Sequence, residues 1–585
     1  MLELTSAGRR VHLSPGASVQ LEYNSPLFDD QQLKGEYSFS FDVLAGPNGL
    51  LYGFPERADG LGAAGPLPAT LQDGELELLQ GQQTVTKATP AKYTVSLQGG
   101  LAALTGRQLS SFAYGGVRLL PPVVSATYGA ALLAHMQDVV ASPGDYDYVF
   151  APLRNEYLPQ PLSYTPDPLA YPPATVNPWQ QTGFVNPYAT IQYPVMGLPP
   201  LVVEPAAGGI CPFPRLRYVL QAILEEAGFA VDVPNLLPGG LGDVVLVGNA
   251  QAVDRGNGQA FGLHLADVVP ALTVAELLAA LRADLGVAVY VEARTRRART
   301  AYLVERVAST AAYQELTQLL AGYPEVSPAV DAGLTLTYHV DGEDALSKDL
   351  LQHQPAAELV LPAVATVADL PATALLADGP RAGQVREVQE RGTYYACSLS
   401  YRDAASVNLT WAEQGESLPP VLVNGGGTEQ PQQLCYTVVK QTRLDAYYQA
   451  ATTFPCPALS QAPFRADVGT VARSSALRLL FYNGLQLAAD GVSQYPELAL
   501  HNADRSLSLR LGGATGTYAT WLRAWLPVKL RATSYKQPLL LTALDLARLD
   551  LTRPVRLDGV AYLVRKLSCT VPLRRPATAE LVRLW

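Results

Sequence analysis

The chain has 585 residues, of which 48% are hydrophobic and 16% charged. It is too apolar for a disordered polymer and too long for one ordinary core, so roughly three to five domains are expected. A formal net charge of -10 argues against a nucleic-acid protein, whose binding face needs basic residues to neutralise phosphates.

The one basic run, Arg294 to Arg299 (RTRRAR), reads as a solvated hairpin turn. Cys211, Cys397, Cys435, Cys456 and Cys569 form no C-x-x-C pair and no zinc spacing; they suit a reducing compartment, as small buried hydrophobes. Arg9 and Arg10 are followed by no apolar h-region, and no apolar run reaches the about 18 to 20 residues of a spanning helix. Synthesis and folding in a cytosol without membrane insertion are expected. Forty-six Pro, 48 Gly and 30 Tyr suit many short strands joined by tight turns, so the expected fold class is mainly β and multidomain, α+β in detail.

In chain order, residues 1–125 read as an N-terminal β-barrel-like domain, with strands predicted at 18–23 (SVQLEY), 37–43 (YSFSFDV), 75–79 (ELELL) and 93–97 (YTVSL). In YSFSFDV, Tyr37, Phe39, Phe41 and Val43 alternate with Ser38, Ser40 and Asp42, which predicts one buried and one wet face. Residues 126–210 read as a Pro/Tyr-rich extended arm: proline removes backbone donors, while Trp179, Phe184, Tyr188 and Tyr193 are too apolar for a free linker. Residues 211–326 read as an α/β insertion domain. There Leu216, Val219, Leu220, Ile223, Leu224 and Ala227 form one helical stripe stopped by Gly228, and Thr273 with Glu276 makes a capping-box pattern stopped by Gly286. Each helix leads into a predicted strand, 229–233 and 287–292.

Residues 327–464 read as a β-rich domain with long loops, with strands at 335–340, 394–401 and 407–411. Residues 465–585 read as a C-terminal β-rich barrel-like domain: a short helix at 518–526, a strand at 529–534, a helical turn at 543–548, and strands at 554–557, 560–568 and 578–584, with Asp558-Gly559 as a hairpin turn.

The chain lacks G-x-x-x-x-G-K-[ST], G-x-S-x-G, H-E-x-x-H and a helix-opening G-x-G-x-x-G. The six histidines have no metal spacing, and HVDGED at 339–344 reads as a strand-to-turn sequence rather than a hard-metal or acid/base site. Glu225-Glu226 falls on the wet helix face, and Asp145 and Asp147 in turns. No catalytic, cofactor-binding or metal residue is assigned, no cofactor is expected, and a non-enzyme is the expectation.

The order of these pieces resembles tail-hub, or baseplate-hub, proteins of tailed phages and phage-derived particles such as contractile injection systems. The resemblance runs through LEYNSPLF and GEYSFSFDVLAGPNGLLYGFPER, through YDYVFAPLRNEY, ICPFPRLRYVLQAILEEAGFAVD and VAELLAALRADLGVAVYVEARTRRA, and returns in LTALDLARLDLTRPVRLDGVAYLVRKLSC and ATAELVRLW. It covers most of the chain, is weakest at 327–464, and carries no active-site residues. It implies a virion structural protein assembled in the bacterial cytoplasm: a homotrimeric hub that joins a six-fold tail tube or distal tail protein to a three-fold spike or central fibre. Its lumen would pass tape measure and then DNA or cargo without specific binding. The candidate interface residues are Asp29, Asp30, Trp179, Tyr188 and Tyr193. The alternatives are a carbohydrate-binding or carbohydrate-active protein, with Trp179 and Tyr188 as a stacking surface, and a receptor-binding tail-tip protein.

Overall fold

A computed structural model describes residues 2–28, 35–57, 65–120, 128–155, 157, 175–180, 183–184, 191–193, 201–203, 210–237, 240–251, 261–292, 295–308, 312–328, 360–375, 385–390, 393–401, 406–415, 438–440, 455–459, 461–464, 466, 471–488, 491–509 and 515–584. The fold is mainly β and multidomain, with several sheets and short helices between them. The strands predicted at 335–340 and the HVDGED stretch lie outside the described residues.

Among the described residues the largest sheet has fourteen strands and is made largely from both ends of the chain. Along its main path the order is Arg9–Val11, Leu2–Ser6, Leu67–Asp73, Leu76–Ala88, Lys92–Gly99, Glu36–Ser38, Val19–Asn24, Val560–Val571, Ala577–Arg583, Ser534–Leu539 and Glu325–Ser327. Phe41–Leu44 pairs with Lys92–Gly99; Val555–Leu557 lies between Val560–Val571 and Gln314–Glu315. An isolated bridge from Leu13 to Val43 brings the first hairpin round toward Phe41–Leu44. The mainly β, multidomain expectation stands, and the described strands form no closed barrel. One core packs Leu4, Leu21, Tyr52, Tyr93 and Leu97 from the early strands with Leu539, Val564, Leu567 and Val571 from the late ones.

YSFSFDV departs from its predicted single strand. It splits into Glu36–Ser38, which pairs with Val19–Asn24, and Phe41–Leu44, which pairs with Lys92–Gly99. Ser38, Phe41 and Val43 are buried while Phe39 is 43% exposed. The Leu97 amide donates to Ser38 Oγ (2.8 Å) and the Phe39 amide to the Gln20 carbonyl (2.9 Å). Both pieces lie along Lys92–Gly99, but Tyr37 stands opposite Gln98 and Phe41 opposite Val95, so one extra residue enters between Ser38 and Phe41 and shifts the phase of the alternation.

Between these ends sits a second and larger core. Helix Leu216–Glu226 buries Leu216, Val219, Leu220, Ile223 and Leu224, as its stripe predicts. Its entrance is held by buried Arg215, which donates to the carbonyls of Tyr146 (3.2 Å) and Pro143 (2.8 Å) and to Asp243 (3.0 Å). Helix Val274–Leu285 has the full Thr273/Glu276 capping box, and Gly286 ends it in the left-handed region (φ 59°). It leads into the hairpin Val287–Glu292/Arg297–Tyr302, where Arg299 pairs with Glu292 at 2.8 Å and Arg296 lies over Phe229. Of the basic run, Arg296 lies in the hairpin turn, Arg297 and Arg299 lie in its second strand, and Arg294 lies outside the described residues. The strand expected at 229–233 shortens to Ala230–Val231.

Two further elements differ from expectation. Tyr128–Ala141 is a fourteen-residue helix within the stretch read as an arm; its buried Leu132, Met136, Val139 and Val140 have helical spacing. At the other end, Trp525–Arg531 is a helix where 529–534 was expected to be extended, and the strand begins at Ser534. Pro527 falls in the first turn, where its missing N–H costs no intrahelical bond. Trp525, Leu526 and Val528 join Leu303, Val307, Leu522 and Leu563 in a third core, between the insertion and the C-terminal strands. The helix Ala543–Arg548 and the Asp558-Gly559 turn (φ 48° and 80°) stand as predicted.

A Cβ on Gly286 would meet Trp521 Cβ and O at 3.1 and 3.2 Å, at a positive φ. Gly286→Ala is therefore expected to cost about 1–2 kcal/mol. Denaturation followed by tryptophan emission reads this directly; an unchanged midpoint would refute the left-handed cap.

Candidate assembly surface

Of the residues singled out in the sequence, Asp29, Asp30 and Tyr188 lie outside the described residues. Tyr193 ends strand Ile191–Tyr193, opposite Leu201. Trp179 is 3% exposed: its indole N–H donates to the Gln494 carbonyl (2.8 Å) and its ring meets Phe184 edge-on at 4.9 Å. It anchors the Pro/Tyr-rich stretch to the strand Gln494–Ala499 and presents no face to a ligand.

Trp179 begins a chain of rings. Phe184 leads to Phe150 (6.3 Å), Phe150 to Tyr148 (5.7 Å), and Tyr148 to His135 (5.8 Å), whose Nε2 lies 2.7 Å from the Tyr148 hydroxyl. Arg118 lies over both Tyr148 and Tyr218 and pairs with Asp147. Burial lowers the His135 pKa, with Arg118 acting in the same direction and Asp138 against it. These aromatics are packing, not a platform. Glu226 is likewise structural: it accepts from Arg107 (2.7 Å) and from the Ala113 amide (2.9 Å).

Four of the cysteines are described and all are buried; burial pushes the thiols of Cys211, Cys397 and Cys569 up to about 12. Among the described residues no group of three or more His, Cys, Asp or Glu side chains is placed to hold a metal ion.

What the fold does assemble is a charged row across the outer face of the large sheet. Strand register places Glu325 opposite Lys536, Lys536 opposite Glu580, and Glu580 opposite Lys566. The row ends where Lys566 Nζ reaches buried Glu22 at 2.6 Å, across the junction of early and late strands. Glu22 also accepts from the Tyr37 hydroxyl and from Asn24 Nδ2 (3.3 Å). Burial by itself would raise the Glu22 pKa, but Lys566, Tyr37 and Asn24 outweigh it and hold the carboxyl below its usual value. Sequence reasoning missed this row because its two end rungs, Glu22 and Glu325, come from strands far in the chain from the C-terminal three; the local signal was only a polar residue at alternate strand positions.

Toward the sheet edge the row becomes exposed. Glu325, Val326 and Ser327 are all exposed, and beside them Tyr323 is 97%, Leu540 57% and Val326 itself 52% exposed. Large apolar side chains beside an open strand edge are what partner surfaces display.

No family model and no curated protein matches the chain. Among solved structures it is similar to the 43 kDa tail protein of prophage MuSo2 from Shewanella oneidensis, at 8% identity and a TM-score of 0.29, over 100% of this chain and 96% of that one. A likeness of that size carries no argument about fold or function.

Removing one partner of the Glu22–Lys566 pair leaves a buried charge without its counter-ion. Lys566→Met is expected to destabilise the protein by about 3 kcal/mol, and Glu22→Gln with Lys566→Met by less than Lys566→Met alone; equal losses in denaturant titrations would refute the coupling. A second carboxyl on the same sheet gives a pH signature. Glu36 is raised to about 7 by burial and by nearby Glu77, from a usual 4.5. The native state therefore keeps a proton that the unfolded chain releases, and this stabilisation is full below about 4.5 and lost as pH rises through about 7. Glu36→Gln should flatten the decline in melting temperature over that interval, and a decline of unchanged slope would refute it.

Proposed function

We propose that this chain is a structural protein of a phage-type tail, and within the tail the hub that joins a six-fold tube to a three-fold spike or central fibre. The observation that carries the reading is the meeting of the chain's two ends. LEYNSPLF and GEYSFSFDV open the resemblance to tail hubs, and VAYLVRKLSC and ATAELVRLW close it; in the fold these stretches are neighbouring strands of one sheet. Segments that resemble a hub at opposite ends of the sequence thus form one unit, with the α/β insertion carried between them.

A structural role also accords with where the aromatic side chains go. Trp179, proposed as a sugar-stacking residue in the carbohydrate alternative, is consumed inside the chain. The net charge of -10 suits a channel wall that DNA passes without adhering, since like charges repel at short range. In this reading the hub is a homotrimer, contacts tube and spike at opposite ends, and passes tape measure and then DNA or cargo.

Antibody raised against the chain and visualised by electron microscopy on particles from the encoding strain should label the junction of tube and spike. Label at fibre tips would replace the hub with a receptor-binding protein, and tails without label would remove the assignment.

A further inference from the structure

We propose that copies of this chain associate head to tail through the two ends of the fourteen-stranded sheet: the acidic edge Glu325–Ser327 of one copy seats the basic hairpin tip at residues 7–10 of the next. The inference deepens the hub reading by naming the surfaces of its ring, and rests on that reading only for ring closure.

The receiving edge has three properties that point to a strand-like partner. Among the described residues it ends the sheet, paired to Ser534–Leu539 on its inner side. Its neighbours Tyr323, Val326 and Leu540 are exposed apolar side chains, a combination that invites addition of another chain. Its charge also continues a pattern. The row Lys566, Glu580, Lys536, Glu325 alternates in sign, with Lys536 Nζ 3.8 Å from Glu325. The next rung outward calls for a cation.

The sheet's other end supplies one. Strands Leu2–Ser6 and Arg9–Val11 form a hairpin whose turn, Ala7 and Gly8, has positive φ at both positions. Arg9 and Arg10 are exposed at its tip, and Arg10 shares a solvent-accessible ion pair with Glu3 (3.2 Å). The Leu13–Val43 bridge and the Leu44 amide bonded to the His12 carbonyl fix the root of the hairpin. A fixed root presents the tip in one direction.

Charge also selects between modes of self-association. Two Glu325–Ser327 edges meeting face to face would bring like carboxylates together and close as a pair. An acidic edge meeting a basic tip is a heterologous contact, which generates a ring when the rotation closes. Arginines at a sheet end are also a common guard against aggregation, and the experiment separates the two roles.

Sedimentation velocity of the full chain over a range of concentrations, at low and high ionic strength, should show a closed oligomer that weakens with salt. Glu325→Arg and the pair Arg9→Glu/Arg10→Glu should each weaken association roughly tenfold or more, as like-charge contacts do. The combined three-residue variant should restore it. Mixing the two weakened proteins should regain association in part, because the basic edge of one meets the acidic tip of the other while a ring of three leaves one contact mismatched. Thermal melting of each variant, expected to match the wild type since all three positions are exposed, confirms that folding is intact; for any variant that melts early, Tyr323→Arg replaces it as the edge substitution and Arg9→Gln/Arg10→Gln as the tip substitution. The proposal is overturned by a wild-type chain that stays monomeric at the highest concentration, by folded edge or tip variants that associate normally, or by a combined variant that fails to recover. Antibody label at the tube–spike junction together with a monomeric chain would remove this interface and leave the tail assignment standing; an intact oligomer absent from tails would do the reverse.

Discussion

The pairing of Val19–Asn24 with Val560–Val571 is the constraint on which the rest of the architecture hangs. Six residue pairs, from Val19 with Val571 to Asn24 with Lys566, join segments separated by more than five hundred residues. Such a contact carries a large loop-closure cost, although that cost grows only slowly with length. It is met on one face by apolar burial, with Leu21 and Tyr23 packing beside Leu567, Cys569 and Val571, and on the other by the Glu22–Lys566 pair. The buried ion pair specifies the register: a slip of one residue would turn Glu22 into the core and strip it of both Lys566 and Tyr37.

Once the ends are joined, everything between them must leave from and return to one sheet. The insertion does this through the third core, where Ala288, Tyr290 and Leu303 pack against Trp525, Leu526 and Leu563. The Pro/Tyr-rich stretch does it differently. Leu153–Asn155 pairs with Thr175–Val176 and with Pro455–Leu459, and Asn155, Asn249 and Gln461 exchange side-chain and backbone hydrogen bonds within the interior (2.8 to 3.0 Å). Buried amides of this kind specify one arrangement, because each lost partner leaves an unsatisfied polar group. Proline-rich chain, poor in backbone donors, is thus held by side chains. The same stretch uses its aromatics as internal mortar, from Trp179 through Phe150 to Tyr148.

The outer face of the sheet follows the opposite logic. Its alternating charges grow more exposed from Glu22 toward Glu325, so the inner rungs contribute to stability while the outer ones, screened by water, contribute little. An exposed charge at a sheet end has more value for recognition than for folding, and it is there that the apolar Tyr323, Val326 and Leu540 also emerge.

Local chemistry alone determined a good part of this molecule. The stripe of Leu216 to Leu224, the Thr273/Glu276 box, the Gly286 stop and the Asp558-Gly559 turn all depend on residues within about one helical turn or one hairpin of each other, and all stand in the fold. The Tyr128–Ala141 helix was equally legible from Leu132, Met136, Val139 and Val140, but the proline and tyrosine of its neighbours masked it. Tertiary structure decided the rest. YSFSFDV is perfectly alternating, yet Phe39 is exposed because the register against Lys92–Gly99 slips by one residue between Tyr37 and Phe41. Trp179 has the composition of a contact residue, yet Gln494, over three hundred residues away, takes its N–H. The charged row exists only once five strands, from three separate parts of the chain, align. Periodicity tells a residue which of two faces it occupies; which strand lies alongside, and therefore which face is interior, is fixed by long-range pairing that no local pattern encodes.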